Sequence, residues 1–131
     1  MMNDKYKKLY EIALKQRDFS YSPYSHFSVG AALLCTDGTI YTGCNIENSS
    51  FSMTNCAERT AVFKAVSEGH KDFEAIAVAG GKTGLEDELC YPCGACLQVL
   101  NEFCNGSFKI ILKNKEAFLK SLLPCNFTLD K

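Results

Sequence analysis

Apolar positions Tyr6, Leu9, Tyr10, Ala13 and Leu14 recur at three- and four-residue spacing near the start of the chain. That period predicts an amphipathic helix over 4–17, with Asn3 or Asp4 able to cap it. The segment "SYSPYSHF" breaks the period with Pro23 and its serines and reads as a loop. "FSVGAALLC" (27–35) and "TIYTGCN" (39–45) read as two strands of a hairpin, with Thr36-Asp37-Gly38 as the tight turn between them. "IENSSFSMT" (46–54) is polar and loop-like. Helical spacing returns with Ala57, Ala61, Val62, Ala65 and Val66. These form the buried stripe of a helix from about Asn55 to Glu68, capped by Thr54 or Asn55 and ended by Gly69.

"FEAIAVAG" (73–80) is mostly apolar, which suits a central strand covered on both faces. "GKTGLEDEL" is a surface loop. Pro92 opens a further helix that "CGACLQVLNEFC" carries to about Cys104, where Asn105-Gly106 stops it. "SFKIILK" (107–113) reads as a strand, "EAFLKSLL" as a short helix and "PCNFTLDK" as a tail. The order α, β, β, α, β, α, β implies one sheet with helices packed on its faces. There is no repeat, linker or low-complexity segment. Residues 1–131 read as a single domain, long enough to bury a core without disulfides.

Charge narrows the range of partners. A formal net charge of −1 carries no electrostatic footprint for nucleic acid or for an anionic membrane. A small, roughly neutral ligand fits that balance better. No apolar run approaches the ~20 residues of a membrane span. The first residues mix charges through an amphipathic pattern and lack the apolar centre of an export signal, so a cytoplasmic location is expected.

Eight cysteines are many for a chain in a reducing compartment, where clustered thiols more often mean metal or catalysis than disulfides. Cys56 falls at the first turn of one expected helix, and Cys93 and Cys96 at the first turn of another. Helix N-termini carry partial positive charge and free N–H groups, which favour the thiolate that binds zinc. Three protein ligands leave a position for water, the mark of a catalytic rather than a structural zinc. Such a metal brings the pKa of that water from about 16 to roughly 7. Glu58, two residues after Cys56, is placed to move protons beside the open position. Arg59, within a turn of Cys56, can donate to the sulfurs and offset their charge.

Spacing alone leaves alternatives open. Cys90, Cys93 and Cys96 recur every three residues, and with Cys56 they supply enough sulfurs for a closed structural site. A set of buried or redox cysteines is the remaining alternative, behind both zinc readings. Cys90 precedes Pro92, outside the helix, which disfavours it as a ligand.

"CAE" (56–58) and "PCGAC" (92–96) match the zinc deaminase signature in its three-cysteine form. With "SYSPYSHFSVGAALL", "GCNIENSSFSMTNCAERTAVFKAVSEG", "PCGACLQVL" and "LLPCNF" at the expected places, nearly the whole chain resembles the small cytidine deaminases that act on free nucleosides. The resemblance implies an α/β fold, a three-layer αβα sandwich with a central mixed β-sheet. It implies hydrolysis of cytidine and 2′-deoxycytidine to uridine and 2′-deoxyuridine with release of ammonia, in pyrimidine salvage. It implies one zinc ion per chain on Cys56, Cys93 and Cys96, whose hydroxide attacks carbon 4 of the pyrimidine, with Glu58 as proton shuttle.

By the same resemblance, Asn45 and Glu47 in "NIEN" would bind the ribose 3′-hydroxyl and Phe27 would pack on the base. The N–H of Ala57 would bind the pyrimidine carbonyl. Phe127 would close the pocket of a neighbouring subunit in a homotetramer. Read without it, "NIEN" is a polar loop, Phe27 a strand-start core residue and Phe127 a tail anchor. Two positions depart from the family pattern: Leu97 stands where Arg is usual after the last zinc cysteine, and Phe51 where Tyr is common. Cys35, Cys44, Cys90, Cys104 and Cys125 are expected as small packing groups. His26 and His70 are expected in solvent-facing loops. Competing readings are a deaminase of another aminopyrimidine nucleoside and a non-catalytic zinc-stabilised binding module. Polynucleotide deaminases typically use His as first ligand and need a basic groove, which this chain lacks.

Overall fold

A computed structural model describes residues 2–131. Helix α1 spans Asp4–Gln16 and continues as a 3-10 turn, Arg17–Phe19. Its start is capped as the sequence suggests, Asn3 Oδ1 accepting from Tyr6 N at 2.9 Å. The hairpin strands are β1 (Phe27–Cys35) and β2 (Ile40–Cys44). After a 3-10 turn at Phe51–Met53 come α2 (Ala57–Ser67), β3 (Phe73–Lys82), α3 (Gly94–Phe103), β4 (Lys109–Leu112), β5 (Lys115–Phe118) and α4 (Leu119–Leu122). The strands form a five-stranded sheet in the order β2-β1-β3-β4-β5. Only β3 and β4 run parallel, so the sheet is mixed, and the apolar run of β3 lies at its centre, as its composition requires.

The sheet separates two apolar layers. Tyr6, Leu9 and Ala13 of α1 pack against Ala32, Leu34, Ala75, Ala77, Ala79 and Ile111. On the opposite face, Ala57, Ala61, Val62 and Ala65 of α2 and Leu97 and Leu100 of α3 cover Ala31, Leu33, Ile76, Val78 and Ile110. Alternate residues of β1 and β3 thus feed opposite layers, the period-two rule of a strand buried on both sides. The result is the three-layer αβα arrangement.

Two glycines let the helices sit close. A Cβ on Gly30 would come 2.0 Å from Ala13 O on one face, and a Cβ on Gly43 would come 2.4 Å from Ala57 O on the other. The second approach matters for function, because it presses the N-terminus of α2 onto the end of β2.

The segment expected as one short helix is split: residues 116–118 belong to strand β5, and only Leu119–Leu122 forms helix, as α4. Lys113 and Asn114 turn the chain, Asn114 taking a left-handed φ of 54°, and Lys115–Phe118 pairs antiparallel with β4 before α4 begins. Asn tolerates that conformation, and the resulting hairpin competes with the helical pattern. His70 is not simply solvent-facing. Its Nδ1 lies 2.9 Å from Tyr41 Oη and its Nε2 3.1 Å from Asp37 Oδ2, tying the hairpin turn to the end of α2. Among the other cysteines, Cys35 is buried, Cys44, Cys90 and Cys104 are half-buried, and Cys125 is exposed, so Cys125 is not a packing group. Among the described residues, no helix is long and apolar enough to cross a membrane.

Candidate active site

Because β1 runs antiparallel to β2 and β3, the start of β1 and the ends of β2 and β3 share one edge of the fold. The N-termini of α2 and α3 arrive there as well. Cys56 is the N-cap of α2 and Cys93 the N-cap of α3, both with extended backbone, and Cys96 lies one turn further on. Cys93 Sγ is 3.7 Å from Cys56 Sγ and 3.3 Å from Cys96 Sγ, and the three sulfurs all lie within 4.8 Å of one another. A tetrahedral zinc with bonds of about 2.3 Å needs sulfur pairs about 3.8 Å apart, so the triangle fits that ion.

The charges around the sulfurs also suit a cation. Hydrogen bonding with Cys96, then with Arg59 and Cys93, holds the Cys56 thiol well below its ordinary range against the opposing effect of burial. Cys96 is pushed up, first because it shares its hydrogen bond with Cys56 and then by burial. The pair therefore holds a proton that a divalent cation would displace. Arg59 Nη2 donates to Cys56 Sγ at 3.2 Å, and the Cys56 partner raises the guanidinium's pKa further. Arg59 Nε is buried with no acceptor. Leu97, beside Cys96, is buried in the core and offers no donor.

Glu58 follows Cys56 into the first turn of α2 and is only 4% exposed. Burial pushes its carboxyl up to about 7; the bond from its own N–H opposes this and the Cys56 charge reinforces it. A carboxyl so placed takes up and releases a proton near neutral pH. Ala57, at the first helical position, is fully buried, and its N–H has no carbonyl to bond inside the helix.

A backbone clasp brings in the polar segment. Ile46 and Asn55 exchange both backbone bonds at 2.9 Å, Tyr21 N donates to Asn45 O at 3.0 Å, and Glu47 N donates to Tyr21 O at 2.8 Å. Asn55 immediately precedes Cys56, so the clasp sets Asn45 and Glu47 beside the start of α2. Both are nearly buried. Asn45 Oδ1 accepts from Val29 N at 2.9 Å and from Ser20 Oγ at 2.5 Å, and Asn45 Nδ2 donates to Phe27 O at 2.8 Å. The Glu47 carboxylate accepts from Tyr24 N at 3.0 Å and Ser25 N at 3.1 Å on Oε1, and from the Ser25 hydroxyl on Oε2. Burial works against its charge, but the bonds from Ser25 and Tyr24 hold it below the usual carboxylate range.

Phe27 is half-buried at the start of β1; a Cβ on Gly80 would meet its ring at 3.0 Å and Cys90 Sγ at 2.7 Å. Cys90 thus stands against β3, outside the sulfur triangle. Phe127 is the candidate set apart. It is 65% exposed, its carbonyl accepts from Gln98 Nε2 at 2.9 Å and Asn101 Nδ2 at 3.3 Å, and it borders a cleft of about 460 Å³ with Phe63 and Phe103.

The family model for the cytidine and deoxycytidylate deaminase zinc-binding region matches residues 3–112. The chain belongs to the cytidine and deoxycytidylate deaminase family. Within it, the chain is 54% identical over 129 residues to the cytidine deaminase of Sporosarcina psychrophila, covering 95% of this chain and 92% of that one. It is 48% identical over 123 residues to the cytidine deaminase of Halalkalibacterium halodurans, covering 90% of each. The crystal structure of cytidine deaminase from Burkholderia pseudomallei superposes with a TM-score of 0.84 and 40% identity, covering 96% of this chain and 100% of that one. The αβα fold is therefore that of the deaminase family.

Sequence reasoning passed over the groups that hold the Glu47 carboxylate. Tyr24 and Ser25 lie in a stretch read as plain loop. The available signal was the turn chemistry of Pro23 flanked by serines, whose hydroxyls commonly bond nearby backbone and side chains.

Proposed function

We propose that this chain is a zinc-dependent hydrolase that converts free cytidine and 2′-deoxycytidine to the uracil nucleosides, with water added at carbon 4 and ammonia released. The observation that carries it is a buried carboxyl of neutral-range acidity, Glu58, one turn from three sulfurs spaced for zinc. Cys56, Cys93 and Cys96 would hold the metal, one ion per chain. When bound, zinc supplies Lewis acidity that makes water a nucleophile at neutral pH.

The chain's own residues do the rest. Glu58 takes the proton from the attacking water and delivers it to ring nitrogen 3, then takes the proton of the new hydroxyl on carbon 4 and passes it to the amino group, which leaves as ammonia as the carbon 4–nitrogen bond breaks and the carbonyl forms. The N–H of Ala57 donates to the pyrimidine carbonyl, aided by the positive end of α2. Phe27 packs against the base. Arg59 offsets the thiolate charge. Asn45 and Glu47 bind the ribose 3′-hydroxyl. With the bonds above in place, Asn45 keeps one free N–H and Glu47 one free lone pair, a donor and an acceptor for a group that both accepts and donates.

Phe127 closes the pocket of a neighbouring subunit in a homotetramer; its 65% exposure, with its carbonyl anchored on α3 by Gln98 and Asn101, supports a role outside its own chain's pocket. Residues 1–131 act as one domain, in the cytoplasm, in pyrimidine salvage. No nucleic acid is bound, consistent with the net charge. A non-catalytic zinc module would want a fourth sulfur, and Cys90 lies outside the triangle.

The decisive assay follows the ultraviolet absorbance of cytidine and deoxycytidine with zinc-loaded protein and with Glu58→Ala. Conversion to uracil nucleosides with ammonia release, lost in the variant, is expected. Folded, zinc-bearing protein that turns over neither nucleoside would overturn the reading.

A further inference from the structure

One loop hydroxyl joins two of the substrate contacts. Ser25 Oγ donates to Glu47 Oε2 and accepts from Phe27 N at 3.1 Å, while Ser25 N and Tyr24 N occupy Oε1 at 3.1 and 3.0 Å. The carbonyl of the same Phe27 accepts from Asn45 Nδ2 at 2.8 Å. Ser25, Glu47, Phe27 and Asn45 thus form one continuous hydrogen-bonded unit built across the turn before β1 and the segment after β2.

The unit fixes what the pocket can offer. A carboxylate has about four lone-pair positions, and three of those of Glu47 are taken by this one turn. Glu47 is 5% exposed, so its carboxylate stays charged only because those donors replace water. Of the three, the Ser25 hydroxyl is the only one on Oε2, the oxygen with a position to spare. Without it the carboxylate is anchored through Oε1 alone, and Oε2 is free to tilt about the Cγ–Cδ bond or to recruit water.

We propose that Ser25 is a positioning residue for sugar recognition, its hydroxyl locking the Glu47 carboxylate so that one Oε2 lone pair is kept for the nucleoside's 3′-hydroxyl. This rests on the assignment of Asn45 and Glu47 to that hydroxyl made above. It predicts an effect read chiefly through the sugar, with the Phe27 N–H the one other group that loses its Ser25 acceptor. Glu58 and the sulfurs are untouched, so kcat changes little while KM rises.

The test compares kcat/KM for cytidine and 3′-deoxycytidine in the parent enzyme, Ser25→Ala, Ser25→Thr and Glu47→Gln, with zinc content and thermal melts of each. Ser25→Ala is expected to lose about tenfold on cytidine through KM and far less on 3′-deoxycytidine. Ser25→Thr, which keeps the hydroxyl, is expected to restore the preference to within about twofold. If the Ala variant does not fold, Ser25→Cys keeps the volume with a weaker donor and is expected to fall between parent and complete loss of preference. Equal losses on both substrates would overturn the proposal and leave Ser25 with a structural role. A preference that collapses in Glu47→Gln but survives in Ser25→Ala would overturn it while the sugar assignment stands. A preference unmoved by Glu47→Gln would overturn the sugar assignment itself, and this proposal with it.

Discussion

Arg59 reaches Cys56 Sγ at 3.2 Å through Nη2, while its Nε lies buried without an acceptor. A cationic group with a buried, open donor is costly unless a strong negative charge sits beside it. Three thiolates on one divalent ion carry such a charge. Leu97, buried beside Cys96, adds no second cation to share the task.

Arg59→Gln is therefore expected to weaken zinc retention by about 10- to 100-fold, with Arg59→Lys between it and the parent. Competition with a chromogenic chelator measures this directly. Unchanged retention in the Gln variant would mean that the helix termini alone balance the sulfurs.

Glu58 should limit stability as well as drive chemistry. Its pKa, raised from 4.5 to about 7, means that the metal-free folded state keeps a proton that the unfolded chain gives up. The stability this group contributes is full below its unfolded pKa and is lost as pH rises through its folded one. In stripped protein, Glu58→Gln should melt higher than the parent at about pH 8, by up to roughly 3 kcal/mol, and converge with it near pH 4. Turnover of the zinc-loaded variant should fall by about 10²- to 10⁴-fold. Parallel melts at the two pH values and one nucleoside assay test both halves.

Metal content should separate the cysteines cleanly. Alanine at Cys56, Cys93 or Cys96 removes one corner of the triangle, and each variant should retain far less than the parent's expected single zinc per chain after gel filtration. Cys90→Ala should keep it. Elemental analysis decides, and zinc loss on changing Cys90 would point to a closed four-sulfur site.

Gly43 holds the start of α2 against the sheet. A Cβ there would sit 2.4 Å from Ala57 O and 2.6 Å from Ala61 N, both backbone atoms that cannot yield without moving the helix. Gly43→Ala is expected to cost about 1–3 kcal/mol and to lower kcat further than that loss explains, because Glu58 shifts with its helix. Gly94→Ala, whose Cβ meets nothing within 4 Å, is the stability control and should be neutral or slightly stabilising. Thermal melts alongside kcat distinguish the two positions.

Much of this was readable in the chain itself. The buried stripe Ala57, Ala61, Val62 and Ala65 marks α2, because helical period and burial are both local properties. β1 occupies the expected residues for the same reason, with its turn chemistry at Asp37-Gly38. The strand Lys115–Phe118 escaped because its helix-compatible side chains were outvoted by pairing with β4, a contact no local window contains. His70 escaped likewise, since Tyr41 and Asp37 lie on another element.

By itself, then, the sequence determined the order of elements as far as β4, the central strand, the three candidate sulfurs and the carboxyl two residues from the first of them. These are matters of spacing, residue chemistry and family pattern. Tertiary structure alone decided how close those sulfurs come, that Cys90 stands outside them, and that burial lifts Glu58 to about 7. It also decided that Tyr24 and Ser25 occupy three of the acceptor positions of the Glu47 carboxylate and leave one open. Distances between elements, desolvation and the use of hydrogen-bond valences arise only when separate segments share one volume, and no stretch of chain holds them alone.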